Sequence, residues 1–172
     1  MRRYRKPKVD KAGRVSAGIL LWRWRNGRIE VLLGHPGSPY FARRDDGAWT
    51  VLKGEVDPGE DLAAVARREF EEETGHPIDD EAPKVELGEV KQNSGKVVTA
   101  WAVEGDLDTA TAVSNTFDVE WPPRSGRIRA FPEIDRVDWF RLKKGRVKIK
   151  AAQAPFLDRL DRAIRGGGAS SG

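Results

Sequence analysis

Three glutamates, Glu69, Glu72 and Glu73, stand where a helix would normally refuse them. The turn residues Asp57-Pro58-Gly59, the capping Asp61, and Gly75 followed by Pro77 frame a helix between them. Inside that frame Leu62, Val65, Ala66 and Phe70 recur at helical spacing. The face begun by Leu62, Val65 and Ala66 is continued in the next turns by the three glutamates, so a buried stripe turns acidic halfway along. Spacings of three and four residues bring the carboxylates within a turn of each other. A charged, solvated helix end is the bland alternative, and it fits poorly. Each like-charge pair costs ~0.2–0.5 kcal/mol, and glutamates beside the negative end of the helix dipole cost ~0.3–1 kcal/mol more. A total on the order of 1–2 kcal/mol matters against a net stability of ~5–15 kcal/mol. Arg68 pairing with Glu72 offsets part of it, and a bound divalent cation removes most of it. The helix end reads as a cage for a hard cation.

With its flanks, the stretch runs Gly54, five residues, Glu60, seven residues, then Arg68-Glu69-Phe70-x-Glu72-Glu73-x-Gly75. This resembles the Nudix box, the signature of hydrolases that cleave nucleoside diphosphates linked to another moiety. Gly54 and Gly59 also have the spacing of a phosphate loop, but Glu60 stands where such a loop needs Lys. Two positions depart from the box: His76 replaces the usual apolar residue after the last glycine, and Leu52-Lys53-Gly54 replaces the common Pro-Lys-Gly. Ser16–Leu21, Trp49, Asn115–Gly126 and Gln153–Leu160 are similar to a bacterial Nudix subgroup described as predicted nucleoside triphosphate pyrophosphohydrolases. The likeness covers roughly residues 15–160.

The resemblance implies a single α/β domain, a Nudix-like α/β/α sandwich with a mixed β-sheet. It implies that Glu69, Glu72 and Glu73 bind the metal together with the backbone carbonyl of Lys53, and that Glu69 is the best box candidate for taking the proton of the attacking water. Arg68, paired with Glu60, orients the loop and helix. A further glutamate completes the cage in this family. Glu133 is the choice, because Glu133-Ile-Asp-Arg-Val-Asp-Trp139 resembles the segment in which a ligand glutamate precedes a late-strand Trp; Glu120 is its rival.

The available ligand chemistry agrees. The chain has no cysteine, which excludes disulfides and thiolate sites, and its only imidazoles are His35 and His76. Oxygen ligands suit Mg²⁺ or Mn²⁺. At 172 residues the chain is long enough for a full core. No apolar run approaches the ~18 residues of a membrane span and no cleavable leader is visible, so a cytoplasmic protein is expected, as monomer or homodimer. The net charge is +4, but residues 1–14 hold seven of the 31 Lys and Arg and one of the 27 Asp and Glu, leaving the rest with 24 against 26, a net −2. Residues 1–14 therefore read as a basic, solvated arm, 15–165 as the domain and 166–172 as a flexible Gly/Ser tail. The folded body is not basic, so nucleic acid is not an expected partner, with a weak nucleic-acid or acidic-partner contact through the arm left open.

Val15 to Trp24 is apolar on both alternating sets near Ile19–Trp22, as for a central strand, and Asn26-Gly27 marks a tight turn into Ile29–Leu33. Later strands are expected near Trp49–Leu52, Val85–Lys91, Lys96–Val103, Thr116–Trp121 and Val137–Phe140, with helices at about 142–151 and 155–165. Substrate contacts are expected from Lys53, from Tyr40, Phe41, Arg43 and Arg44, which combine aromatic rings with cations, and from Arg124 in a second such loop. Two functional classes stay open: a magnesium-dependent hydrolase of nucleotide phosphoanhydrides, and a Nudix module that senses a nucleotide without cleaving it. Within the first, diadenosine tetraphosphate-type dinucleotides lead, followed by nucleoside triphosphates, including oxidised ones, and then RNA 5′ ends.

Overall fold

A computed structural model describes residues 14–166. Most of the expected basic arm and all but Gly166 of the expected tail lie outside the described residues. Arg14 joins the domain, since its carbonyl accepts from the Val97 N–H. Gly166 ends the last helix.

The doubly apolar segment forms β1 (Val15–Arg25), which runs through the middle of a six-stranded mixed sheet. One edge pairs in parallel with β5 (Val97–Glu104). The other is shared by two antiparallel neighbours: the start of β1 pairs with β3 (Leu52–Glu55), and its end pairs with β2 (Arg28–Pro36). Asn26 and Gly27, both at positive φ (51° and 73°), close the β1–β2 hairpin with the twist that flanking strands require. Strands β4 (Lys84–Lys91) and β8 (Ile134–Arg141) form the sheet edges, and β6 (Thr116–Glu120) with β7 (Ile128–Pro132) makes a separate two-stranded sheet.

Alternation along β1 divides the core into two layers. Ala17, Ile19 and Leu21 pack under α1 (Leu62–Thr74) with its Val65, Ala66 and Phe70. Leu20 and Trp22 face the other way, against Leu142 of α2 (Leu142–Lys148) and Phe156, Leu157 and Leu160 of α3 (Ala154–Gly166). With helices on both faces of one mixed sheet, the chain is a single α/β domain, an α/β/α sandwich. Each fully buried Leu or Phe in these layers contributes ~1.5–3 kcal/mol.

The local pattern misplaces two elements and misses a third. The strand expected at Trp49–Leu52 begins where that range ends: Thr50 makes an isolated bridge to Gly34 and Trp49 one to Ile149, so only from Leu52 does the chain reach the β1 edge. The helix expected to reach residue 151 stops at Lys148, because Ile149 turns into the core and the Lys150 N–H bonds the Trp49 carbonyl. Strand β7 gives no apolar alternation, since Ile128–Ala130 are solvent-exposed. Among the described residues no helix is long and apolar enough to cross a membrane.

Candidate active site

Strand β3 runs directly into the loop before α1, and the join is built around a missing side chain. A Cβ on Gly54 would fall 2.0 Å from Cδ and 2.2 Å from Oε2 of Glu69, so only glycine leaves room for that carboxylate beside the strand. The α1 helix is fixed at both ends. The Asp61 side chain accepts from the Ala64 N–H at 3.0 Å, and Gly75, left-handed at φ 77°, donates to the Glu71 carbonyl. The outcome is an acidic helix end pressed against the sheet, with Glu69 and Glu73 only 4% and 6% exposed.

Each buried carboxylate has a specific neighbour. Glu73 Oε2 accepts the Lys53 N–H at 3.0 Å. Burial pushes the Glu73 carboxyl well above the usual range; the Lys53 charge opposes this, while Glu69 and Glu133 reinforce it. Glu69 Oε1 lies 3.9 Å from Arg68 Nη2. The expected i, i+4 pair of Arg68 with Glu72 gives way to a longer reach: Arg68 Nη1 donates to Glu60 Oε2 at 2.6 Å, and that hydrogen bond, more than any other influence, raises the guanidinium above its ordinary value. Glu60 in turn accepts the Asp57 N–H at 3.0 Å, so Arg68 and Glu60 brace the loop onto the helix. Glu72 is half-buried one turn on, and its backbone carbonyl accepts from Asn115.

Beside this helix end lies a cleft of about 400 Å³. Of the residues singled out by sequence, Lys53, Phe41, Glu73 and Glu133 line it, and Gly54 forms part of its floor. Glu133 sits in the turn between β7 and β8, where its N–H donates to the Asn115 carbonyl and its own carbonyl accepts from Gly37. Glu120 is exposed at the end of β6 and does not line the cleft. Tyr40, Arg43, Arg44 and Arg124 are also outside the lining. Tyr40, 58% exposed, packs edge-on to Trp121 at 5.2 Å, and the Arg44 guanidinium lies over the Phe41 ring.

The cleft includes groups that local sequence reasoning missed. Lys96, only 7% exposed, reaches Glu55 at 3.5 Å, and Arg14 meets the other oxygen of Glu55 at 3.4 Å. Lys150 stands over the Phe41 ring at 5.5 Å, and Phe117 supplies a second aromatic wall. These residues come from strand ends and a loop far apart in the chain, so no local pattern marks them. His35 supports the site from behind. Buried at 1% exposure, it contacts Asp135 through Nδ1 at 2.8 Å and the Arg44 carbonyl through Nε2 at 2.6 Å, tying the Phe41 loop to β2 and β8.

The donor set fits a hard divalent cation. Its charged atoms are carboxylate oxygens, the chemistry Mg²⁺ and Mn²⁺ prefer, and the Gly54 gap keeps a carboxylate beside the strand. Among the described residues no three His, Asp or Glu side chains already converge as a shell. Glu69 has an oxygen 3.9 Å from Arg68, and Glu73 accepts the Lys53 amide.

Comparison with known proteins agrees with this layout. The family model described as "NUDIX domain" matches residues 13–160. Among solved structures, a C. elegans Ap4A hydrolase in a binary complex is 23% identical, with 89% of this chain and 98% of that one covered and a TM-score of 0.56. The NUDIX domain of Shewanella oneidensis NrtR, complexed with ADP ribose, is 15% identical over 93% and 94%, with a TM-score of 0.61. A mutT/nudix family protein from Listeria innocua is 17% identical over 92% and 98%, with a TM-score of 0.59. At these identities the structures share the fold.

Proposed function

This chain belongs to the Nudix family of hydrolases, and from that premise we propose that it is a magnesium-dependent enzyme cleaving phosphoanhydride bonds of nucleoside polyphosphates. The observation that carries this reading is the buried pair Glu69 and Glu73 at the C-terminal end of α1, beside a cleft that also holds Glu133. Such a concentration of carboxylates is costly unless a cation uses it.

The residues divide the work. Glu69, Glu72 and Glu73, the Lys53 carbonyl and Glu133 would hold the metal. When bound, a divalent cation supplies positive charge at the transferring phosphorus and makes water a better nucleophile. Glu69 accepts the proton of that water, with Glu133 as the rival base. Lys53, Lys96 and Lys150 attract and orient the phosphate chain, while Arg68 and Glu60 keep the loop in register with the helix.

A dinucleoside tetraphosphate is the finer reading. Two aromatic stations favour it: Phe41 and Phe117 within the cleft, and Tyr40 packed edge-on to Trp121 outside it, on the residue next to Phe41. Each offers a flat face to one nucleobase, and Arg43, Arg44 and Arg124 lie on the same loops to meet phosphate. Nucleoside triphosphates, including oxidised ones, are the alternative substrates. Incubating purified protein with a nucleotide panel and magnesium, and separating the products by chromatography, tests both. Fastest turnover of a dinucleoside tetraphosphate supports the finer reading, and preference for a triphosphate replaces it. Nucleotide binding without products would make the chain a sensing module.

A further inference from the structure

A second concave surface lies at the other end of the sheet. It has a volume of about 640 Å³ and is lined by Arg28, Arg141, Lys143, Lys144, Arg146 and Arg165, with Asp161 as its one acidic member. Arg146 pairs with Asp158 at 2.8 Å and Arg165 pairs with Asp161, but among the described residues Arg28, Arg141, Lys143 and Lys144 form no ion pair. All four are exposed. Residues 15–172 carry a net −2, so six cations in one hollow are a segregated field, not a sample of a basic surface.

The floor of this hollow is Ile29 with Leu142 and Val147. Directly opposite Ile29 in the β1–β2 register is Trp24, which is 46% exposed and braced edge-on by the buried Trp22 at 6.1 Å. Residues opposite each other in an antiparallel pair project to the same face, so the accessible Trp24 indole shares the face of Ile29, a residue that lines the hollow, while standing outside the lining itself. Arginine forks and lysines hold phosphate oxygens, and an exposed indole stacks on any base. An acidic protein surface would need the cations but not the indole.

We propose that this hollow is a second, non-catalytic site that binds single-stranded nucleic acid, with Arg28, Arg141, Lys143 and Lys144 on the phosphates and Trp24 stacked on a base. It is separate from the hydrolytic cleft: Arg28 and Pro36 stand at opposite ends of β2, one lining each site, which at ~3.3 Å per residue is about 26 Å. The assignment does not rest on the hydrolase reading.

The test is fluorescence anisotropy of a labelled oligouridylate with a 5′-hydroxyl, which offers no phosphoanhydride, titrated with the full chain across a salt series. Wild type should bind with a logarithmic salt slope to which each neutralised phosphate adds about 0.7. The triple variant Arg28→Ala/Lys143→Ala/Lys144→Ala should lose most of the affinity and flatten the slope, with nucleotide turnover unchanged. Trp24→Ala should weaken binding about 5-fold or more at an unchanged slope. Absence of wild-type binding overturns the proposal. So does a triple variant that binds like wild type, which would place binding elsewhere, for example on the seven basic residues among 1–14. Equal competition by inorganic polyphosphate, together with a silent Trp24→Ala, would make the hollow a phosphate site indifferent to bases and also overturn it.

Discussion

Among single residues Glu73 carries the clearest electrostatic signature. Its carboxyl is raised above the ordinary value of 4.5 chiefly by burial, so the native state holds a proton that the unfolded chain gives up. That contribution is complete below the unfolded value and is lost as pH rises from about 4.5 through the raised one. Metal-free wild type should therefore lose stability over that window relative to Glu73→Gln, which keeps an acceptor for the Lys53 N–H. Denaturant midpoints at pH 4 and pH 8 measure it, and a constant difference between the two proteins would show that Glu73 does not titrate abnormally. Glu133 and Glu120 part at the same scale. Glu133 lines the cleft and influences Glu73, whereas Glu120 is exposed on β6. At saturating magnesium Glu133→Gln should lower kcat and kcat/KM together, by roughly 10²-fold or more if it acts as the base. Glu120→Gln should stay near wild type, and the reverse order would reassign the outer carboxylate.

The decisive element is the β3–α1 unit, and Gly54 is its tightest point. Gly54→Ala puts a methyl into the Glu69 carboxylate, so that side chain or the strand must move. Overpacking of this kind costs about 1–3 kcal/mol, at roughly 2–4 °C of Tm per kcal/mol in a chain this size. Loss of magnesium-dependent turnover should accompany the lower Tm; full activity would mean that Glu69 need not lie against the strand. The extent of this unit could be read from the sequence because its signals are local: a turn, a cap, a stripe, a left-handed glycine. Strand β1 was equally legible from apolar residues on both faces, as was the hairpin at Asn26-Gly27. What could not be read was set by distant partners. Gly34 and Ile149 hold Thr50 and Trp49 away from the β1 edge, and β7 is paired by β6 without burying an apolar face. The cleft's Lys96, Lys150 and Phe117 meet only after the sheet assembles.

Across the whole molecule, two layers around one mixed sheet leave a hollow at each end of β2, one beside the acid-rich end of α1 and one basic. The acid-rich end predicts a linkage between metal and global stability. A cation that binds only the folded state at 100 times its Kd adds about 2.7 kcal/mol, or roughly 5–10 °C of Tm for a domain of this size. Metal-stripped protein should show that rise on adding magnesium, and Glu69→Gln should show little of it. The metal cage is tested most directly by magnesium-dependent turnover of the preferred nucleotide by Glu72→Gln at saturating metal, with the metal-free Tm measured alongside. Turnover should be abolished and the Tm unchanged or slightly higher, since removing one like-charge pair returns ~0.2–0.5 kcal/mol. Near-wild-type turnover in that variant would contradict the cage.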